Sequence, residues 1–556
     1  MATGAVPNGS SAPTHTTSQR YLSTRGNDSG LSFEEVVLKG LASDGGLYIP
    51  EAVPVAEGWE SWKDLSFVDL AFNVLSLYIS PSEIPADDLK DIIRRSYSTF
   101  RSEEVTPLIH LQNDIHLLEL FHGPTFAFKD VALQFLGNLF EYFLVRRNEG
   151  KTGRDRYHLT VVGATSGDTG SAAIYGLRGK KDVSVFMLHP KGRVSPIQEL
   201  QMTTVLDANV HNLAVTGNFD NCQVTNATLQ DIVKALFADP DINSSHKLGA
   251  VNSINWARIL AQTVYYFYSY FSLARQQPDS FKIGDKVRFS VPSGNFGDIL
   301  AGYFAHRMGL PVDKFVIATN ENDILDRFWK TGRYEKKPTY GASAEGGLPE
   351  DGVKAHEDGV KETLSPAMDI LVSSNFERLL WFLAYSFAAS AGMDDEWNKK
   401  QASQEVSSWL SDLKHKGGFG PVYQDVLEAA RKTFESERVS DQETLDTIRS
   451  LYAEVGYVLD PHTAVGVEAA RRSAAREEAA GIPIISLSTA HPAKFAGAVT
   501  LALQDEEGFE FDAKVLPPEF VGLDKREKRV REVENDWKAV RALVKEEVDE
   551  ELGGAR

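Results

Sequence analysis

The chain has 556 residues, of which 42% are apolar, so it is long enough to bury a large core divided into several structural units. With 58 basic and 78 acidic residues its formal charge is -20, which argues against binding to nucleic acid or to an anionic membrane surface. Its one cysteine, Cys222, excludes an internal disulfide and fits a reducing compartment, so we expect a cytoplasmic protein.

The chain begins with a stretch of low complexity. Residues 1–20 are rich in Ser, Thr, Pro and Gly and predict a disordered tail. Because acidic residues are absent before Asp28, an organellar transit peptide is the alternative, although its only arginine would be Arg20.

Two regions of different periodicity follow the tail. From residue 106 to 515, strand-like apolar runs alternate with helical periodicity, which is the βαβ rhythm of parallel sheets covered by helices. Within this catalytic α/β core we expect a smaller α/β subdomain around 155–240 and an exposed insertion around 331–362, where Gly, Lys, Glu and Pro dominate. Residues 21–105 are predicted to form a mostly helical cap domain, with helices at Phe33–Leu41, Phe67–Tyr78 and Ile84–Ser96.

Three further segments have a helical pattern. Ile259–Ala274 and Leu379–Met393 are apolar but are interrupted by polar residues and are shorter than a bilayer span, which predicts buried helices. Residues 516–556 are predicted to contain a charged C-terminal helix, because Leu523–Leu552 has apolar residues at helical spacing.

The first of three glycine-containing loops follows a strand predicted at Ile115–Leu120 and carries a lysine. Lys129 opens a helix after the turn at residues 121–125, and its neighbours Phe126 and Phe128 are apolar. Apolar surroundings and a helix N-terminus both favour the neutral amine, in which form lysine is a Schiff-base nucleophile. The alternative is a lysine that extends from an apolar helix to solvent.

The second loop follows a strand predicted at His158–Val162 and reads Gly163-Ala164-Thr165-Ser166-Gly167-Asp168-Thr169-Gly170. Its hydroxyls and free N–H groups suit a carboxylate or a phosphate. A tight turn capped by Ser or Thr has the same composition and is the alternative.

The third loop, Ser293-Gly294-Asn295-Phe296-Gly297-Asp298, lies between a strand predicted at Val287–Pro292 and a helix predicted at Ile299–Met308. Small residues let consecutive N–H groups converge on an anion, and the helix N-terminus adds its dipole, so the loop can hold a phosphate. Asp298 is predicted to cap the helix. The alternative is a glycine turn that only starts a helix.

Together the loops supply an imine-forming lysine, a phosphate site and a carboxylate-binding turn, the set that defines a pyridoxal-phosphate site. On these motifs, with His122-Gly123-Pro124-Thr125 before Lys129, the chain resembles the threonine synthase family. The resemblance extends over nearly the whole chain after residue 20. Within the family, the chain is similar to the larger, fungal form of the enzyme. Three further motifs carry it: Gly45-Gly46-Leu47-Tyr48-Ile49-Pro50, Asn252-Ser253-Ile254-Asn255-Trp256-Ala257-Arg258 and Ser488-Thr489-Ala490-His491-Pro492-Ala493-Lys494-Phe495.

The resemblance implies an α/β fold of pyridoxal-phosphate fold type II, which is tryptophan synthase β-like, with parallel sheets covered by helices and an N-terminal cap domain. It also implies that Lys129 binds pyridoxal 5'-phosphate covalently and acts as catalytic acid and base, and that Thr489 faces the pyridine nitrogen. The cofactor phosphate is expected on Gly294, Asn295, Phe296 and Gly297, and the substrate carboxylate on Thr165, Ser166, Gly167, Asp168 and Thr169.

Asp168 is further expected near the phenolic oxygen of the cofactor, a position that an asparagine often fills in the wider fold group. An aspartate there would repel a phenolate unless the two groups share a proton. We therefore treat Asp168 as a contact of the cofactor rather than as a catalyst.

The implied reaction converts O-phospho-L-homoserine and water to L-threonine and phosphate, by elimination of phosphate at Cγ and addition of water at Cβ. The phosphate of this small-molecule substrate needs a second anion site. Arg258 and Lys494 are candidates by charge, although a structural salt bridge is the commoner role for either residue. The expected oligomeric state is a monomer or a homodimer.

Three other functions compete with this interpretation. A serine or threonine dehydratase would need the lysine and the phosphate loop but no second anion site, and a catalytically silent relative would only bind a phosphate ligand. A nucleotide-dependent enzyme is suggested by Gly150-Lys151-Thr152, but Val145 replaces the first glycine of a P-loop and no strand precedes it. The sequence also has no His-Glu-x-x-His metal motif.

Overall fold

The computed structural model describes residues 19–554, except 166, 217–225, 250 and 338–358. The tail predicted at 1–20 and the insertion predicted at 331–362 therefore lie mostly outside the described residues.

The α-helices are, in chain order, α1 (Phe33–Lys39), α2 (Phe67–Ser76), α3 (Ala86–Tyr97), α4 (Lys129–Arg147), α5 (Asp168–Leu177), α6 (Pro196–Thr203), α7 (Asn226–Ala238), α8 (Pro240–His246), α9 (Trp256–Gln276), α10 (Gly297–Arg307), α11 (Ile324–Thr331), α12 (Phe376–Ala389), α13 (Asp395–Lys416), α14 (Gln424–Thr433), α15 (Asp441–Val455), α16 (Pro461–Ala474), α17 (Ala496–Leu503), α18 (Phe511–Lys514) and α19 (Trp537–Gly554). The strands are β1 (Tyr21–Ser23), β2 (Tyr48–Pro50), β3 (Leu108–Gln112), β4 (Ile115–Glu119), β5 (Leu159–Ala164), β6 (Val183–Pro190), β7 (Val210–Thr216), β8 (Leu248–Gly249), β9 (Val287–Pro292), β10 (Val312–Thr319), β11 (Tyr334–Glu335), β12 (Gly418–Phe419), β13 (Phe434–Arg438), β14 (Ile484–Ser488) and β15 (Arg531–Glu534).

The three helices predicted before residue 105 are confirmed, because α1, α2 and α3 begin and end within two residues of the predicted bounds. Local signals explain this agreement. Ser32 and Glu35 form a capping box at the start of α1, Ser66 caps α2, and Pro85 precedes α3. The buried face of α2 packs against α9.

Two sheets organise the remaining described chain. The larger has the strand order β13-β10-β9-β14-β4-β3, in which every neighbouring pair is parallel except β3 and β4. The smaller has the order β15-β7-β6-β5-β8 and is parallel throughout. Strands buried on both faces, such as β6 and β14, show that helices cover the two sides of each sheet.

The prediction of one long C-terminal helix from Leu523 is wrong at its start. Residues Arg531–Glu534 form β15, which lies parallel to β7 at the edge of the smaller sheet, and the helix begins only at Trp537. The apolar spacing around Val533 fits either structure, and the free edge of β7 decides in favour of a strand. The smaller sheet therefore extends beyond the predicted 155–240 region.

The helix predicted at Ile259–Ala274 is confirmed as α9, and its residues from Trp256 to Leu273 are buried. It packs against α2, α4 and α10, which explains why it is apolar on all sides. Leu379–Met393 corresponds to α12, which packs on α13. None of the described helices is both long enough and apolar enough to cross a bilayer.

Candidate active site

The carboxyl ends of the strands from both sheets surround a cavity of about 510 Å³. This is the edge at which open α/β sheets bind ligands. Ser166 lies outside the described residues. Every other residue predicted for the site lines the cavity: Lys129, Thr165, Gly167, Asp168, Thr169, Gly294, Asn295, Phe296, Gly297 and Thr489.

Lys129 is held by the turn that precedes α4. Phe128 donates its N–H to the carbonyl of Thr489 at 2.8 Å, which ties this turn to the loop after β14. The turn is tight, since a Cβ on Gly123 would lie 2.4 Å from the Cβ of Asp130. Burial lowers the pKa of Lys129 to about 8, so a substantial fraction of this amine is neutral near physiological pH.

The loop before α10 has the geometry of an anion site. Phe296 adopts a left-handed φ of 63° and precedes the first residue of the helix, so the N-terminus of α10 opens directly onto the cavity. A Cβ on Gly294 would lie 3.1 Å from the Cα of Met368, so a larger residue would fit only if the 366–370 segment moved by a few tenths of an ångström. The buried Ser293 Oγ has no hydrogen-bond partner among the described residues. These features fit the phosphate of pyridoxal phosphate.

The prediction that Asp298 caps α10 is wrong. Phe296 occupies the N-cap, and the Asp298 carboxylate instead accepts hydrogen bonds from the hydroxyls of Tyr265 and Tyr266 on α9. Burial raises the pKa of Asp298 to about 7, and the two tyrosine hydrogen bonds only partly oppose this shift. Asp298 therefore joins α10 to the central helix α9.

Asp168, in the first turn of α5, forms a buried ion pair. Its Oδ1 atom lies 2.7 Å from Lys494 Nζ and accepts a hydrogen bond from Gln198 Nε2 at 2.7 Å. Burial alone raises the pKa of Asp168, but Lys494 and then Lys129 outweigh it and hold the pKa well below its ordinary value. Lys494, one of the two candidates for the substrate phosphate, is thus already paired.

Arg258, the other candidate, has different surroundings. It lies in the first turn of α9, lines the cavity and is 3% exposed. Its hydrogen bond to the carbonyl of Val251 is long, at 3.4 Å, and its Nε atom has no partner among the described residues. No described carboxylate forms a salt bridge with it, and burial lowers the pKa of Arg258 to about 10. The cavity therefore contains a buried guanidinium that has no counter-ion among the described residues.

Three family models match the chain in order: "Threonine synthase N terminus" over residues 20–97, "Pyridoxal-phosphate dependent enzyme" over 100–367 and "Threonine synthase, C-terminal" over 463–544. The chain is 58% identical to the threonine synthase of Schizosaccharomyces pombe over 505 residues, which cover 90% of this chain and 93% of that protein. The chain belongs to the threonine synthase family.

Two solved threonine synthases have the same architecture. The yeast enzyme superposes with a TM-score of 0.84 at 54% identity and covers 96% of this chain and 99% of its own. The pyridoxal-phosphate-bound enzyme of Brucella melitensis gives a TM-score of 0.79 at 40% identity, with 95% and 99% covered. The predicted family, fold class and cofactor are confirmed, and as a threonine synthase the chain is a pyridoxal-phosphate-dependent lyase.

One side of the cavity is formed by residues that belong to none of the sequence motifs of the family. Residues 366–370, which follow the predicted insertion in the sequence, lie over the Gly294 loop. The N–H of Ala367 donates to His462 Nε2 at 3.0 Å, and Asp460 holds the opposite nitrogen of that ring at 2.8 Å. Gly150-Lys151-Thr152 lies in the connection between α4 and β5 and does not line the cavity.

Proposed function

We propose that the chain converts O-phospho-L-homoserine and water to L-threonine and phosphate in the cavity around Lys129. The observation that carries this proposal is Arg258, a buried guanidinium that lines the same cavity without a described counter-ion. A phosphate group supplies the missing negative charge and matches the fork of a guanidinium with two hydrogen bonds. The site therefore suits an amino acid that carries its own phosphate.

The cofactor-binding roles are those that the motifs predict. Lys129 would bind pyridoxal phosphate covalently, the loop from Gly294 to Gly297 would hold its phosphate, and Thr489 would face its ring nitrogen. When bound, the cofactor withdraws the electrons that remain on the substrate after the Cα–H bond breaks. The turn from Thr165 to Thr169, at the start of α5, would bind the substrate carboxylate with its N–H groups.

The protein's own contribution to the chemistry is proton transfer and charge stabilisation. Lys129 Nζ, with a pKa of about 8, would accept a proton from Cα, pass it to the bound cofactor and so become a base again, and then accept a proton from Cβ, while phosphate leaves Cγ with the electrons of the Cγ–O bond. Arg258 stabilises the charge of the departing phosphate. The proton from Cβ returns at Cγ, which becomes the methyl group, and the proton from Cα is finally restored to Cα. Water adds its hydroxyl at Cβ, and its remaining proton goes to the departed phosphate.

The dehydratase alternative is weaker on this evidence. A serine or threonine dehydratase eliminates an unphosphorylated hydroxyl and has no use for a second buried cation. The silent-relative alternative is also weaker, because Lys129 lines the cavity beside a complete anion-binding loop.

The test combines mapping and turnover on the full chain supplied with pyridoxal phosphate. We expect borohydride to fix the cofactor on the Lys129 peptide, and O-phospho-L-homoserine to yield phosphate and L-threonine in equal amounts. Lys129→Ala should abolish the adduct and lower turnover by about 10⁴-fold or more, whereas Lys151→Ala, outside the cavity, should change neither. Deamination of L-serine without phosphate release would support the dehydratase and overturn the proposal.

Three further assignments extend the proposal. We assign the enzyme to the cytoplasm, which its single cysteine supports. We expect it to be a monomer or a homodimer, and size-exclusion chromatography distinguishes the two. The predicted domains also stay proposals: a tail at 1–20, a cap at 21–105, a catalytic core at 106–515 and a C-terminal segment at 516–556.

A further inference from the structure

The cavity contains a buried ion pair that the proposed mechanism does not use. Lys494 Nζ lies 2.7 Å from Asp168 Oδ1 and also donates to the carbonyl oxygen of Thr125 at 2.7 Å. The side chains of Lys494 and Asp168 are 0% and 4% exposed. One ammonium group thus joins three parts of the site: the loop after β14, the turn before Lys129 and the first turn of α5.

The orientation of Asp168 is fixed from one side. Lys494 and Gln198 both donate to Oδ1, and Gln198 is itself held by the hydroxyl of Ser195 at 3.0 Å. No described residue donates to Oδ2, and Asp168 lines the cavity. Among the described residues, Oδ2 is therefore the Asp168 oxygen without a hydrogen-bond donor, and we infer that a ligand in the cavity can contact it.

Without Lys494, the negative charge of Asp168 would be unfavourable beside the bound cofactor. The resemblance places Asp168 beside the phenolic oxygen of the cofactor, where a lone carboxylate would repel an oxyanion in a medium of low dielectric constant. A carboxylate and an ammonium group 2.7 Å apart form a pair that has no net charge as a whole. The Lys494–Asp168 pair can therefore stand beside the phenolic oxygen without repelling it, as the neutral amide of an asparagine would.

We propose that Lys494 is a positioning residue that acts through Asp168, holding it ionised and correctly oriented so that the cavity offers the cofactor ring a neutral pair instead of a bare carboxylate. This inference rests on the proposed function, because it assumes that pyridoxal phosphate lies beside Lys129.

The pKa of Lys129 is sensitive to this arrangement, because both Asp168 and Lys494 interact electrostatically with its amine. Asp168 raises the pKa of Lys129 while Arg258 and Lys494 lower it, and the net value of about 8 reflects burial above all. Removing Lys494 takes away one nearby cation and leaves Lys129 as the remaining partner for Asp168. The other charged or titratable groups that face this cluster are Asp130, on α4, and His462, on α16.

The first experiment titrates Lys129 in the full-length protein freed of cofactor. An amine-specific reagent such as acetic anhydride is applied across pH 6 to 10, and labelling of the Lys129 peptide is quantified by mass spectrometry. We expect Lys494→Met to raise the pKa of Lys129 by about one unit, and so to slow labelling at pH 7 by about tenfold. Asp168→Asn should lower it.

The double variant decides whether Lys494 acts through Asp168. If it does, Lys494→Met shifts the pKa of Lys129 less when Asp168→Asn is also present, because no carboxylate is left to transfer its interaction. The double variant removes both members of the Lys494–Asp168 pair, so neither is left buried without the other, and it is expected to fold even where Lys494→Met alone does not. Comparison of Asp168→Asn with the double variant then carries the test. The inference is overturned if removing Lys494 shifts the pKa of Lys129 by the same amount in both backgrounds, or leaves the labelling curve unchanged in both.

The second readout is the dissociation constant of pyridoxal phosphate, followed by absorbance. We expect Lys494→Met to weaken binding by about tenfold or more and the double variant to recover much of the loss. Lys180→Met is the matched control, because it removes a partly buried lysine from its pair with Glu141 outside the cavity. An equal loss in Lys494→Met and Lys180→Met would reduce Lys494 to a stability role and overturn the inference.

Neither readout uses O-phospho-L-homoserine. A chain that titrates as expected but releases no phosphate would overturn the proposed function alone. A chain that turns over normally while both Lys494 readouts match Lys180→Met would overturn this inference alone.

Discussion

Arg258 and Lys494 are both nearly fully buried cations in the site, at 3% and 1% exposure, yet they have opposite surroundings. Lys494 has a carboxylate and a carbonyl oxygen at 2.7 Å, whereas among the described residues Arg258 has a single, long hydrogen bond, to the carbonyl of Val251. Moving a charged side chain from water into the protein interior costs on the order of several kcal/mol, unless a partner of opposite charge offsets that cost. Arg258, the cation with no carboxylate partner in the described part of the chain, is therefore the one whose charge a ligand anion can neutralise.

Two buried acids show the same contrast with opposite sign. Asp168 is paired with Lys494 and has a depressed pKa. Burial raises the pKa of Asp298 to about 7, because no described cation pairs with its carboxylate and the hydrogen bonds from two tyrosine hydroxyls oppose the shift only in part. The paired residues keep their charge, and the unpaired ones are available for a ligand or a proton.

The strongest test of this contrast is to remove the unpaired cation. We expect Arg258→Leu to lower kcat/KM for O-phospho-L-homoserine by about 10³-fold, because the substrate phosphate would lose its charged partner in a buried site. The absorption spectrum of bound pyridoxal phosphate should persist. Steady-state phosphate release measures the first effect and spectroscopy the second.

Arg275→Leu serves as the control for that variant, since it removes an arginine from the opposite end of the same helix, α9, outside the cavity. It should leave kcat/KM within a few-fold of the parent. If Arg258→Leu and Arg275→Leu have the same kinetic effect, the assignment of Arg258 to the substrate phosphate is wrong.

The sequence predicts this site only in part. The three loops are recognisable because each follows an apolar strand and precedes a helix, and the structure brings their described residues to one cavity. Sequence alone could not distinguish Arg258 from Lys494, since the partner of Lys494 is 326 positions away in the chain, at Asp168. For the same reason the tyrosine partners of Asp298 and the His462–Ala367 contact were not predictable.

The fold shows a similar division. Helices with local capping signals, such as α1, agree with the prediction to within two residues. The strand β15 was missed because its four residues are strand-like only when placed against the edge of β7, which lies more than 300 residues earlier. Elements that depend on distant pairing are thus the ones that local periodicity misassigns.

A second prediction concerns the unpaired acid. Because the pKa of Asp298 is about 7 in the folded chain and 3.8 in the reference state, the folded protein binds a proton between about pH 4 and pH 7 that the unfolded chain has lost. This contribution is present at low pH and is lost as the pH rises through 7. Asp298→Asn should therefore reduce the loss of unfolding free energy between pH 5 and pH 7 by about 2 kcal/mol.

Urea denaturation of the cofactor-free protein at the two pH values measures this difference. Asp279→Asn, at an exposed carboxylate, is the control and should preserve the pH dependence of the parent. Identical pH dependence in Asp298→Asn and the parent would show that the Asp298 carboxylate is ionised throughout, in contradiction to its unpaired surroundings.

The smallest expected effect is the stabilisation of the folded protein by inorganic phosphate, which tests directly whether an anion binds at Arg258. With pyridoxal phosphate bound, the Gly294 loop is occupied, so added inorganic phosphate is expected at Arg258, the buried arginine of the cavity that has no described carboxylate partner. At ten times its dissociation constant, phosphate should stabilise the folded protein by about 1.4 kcal/mol, a rise of about 1 to 2 °C in the unfolding midpoint. Arg258→Leu should abolish this rise, and Lys494→Met paired with Asp168→Asn should retain it, because the Lys494 charge is already neutralised within the protein. If the double variant lost the protection and Arg258→Leu kept it, the roles of the two cations would be the reverse of those assigned from their partners.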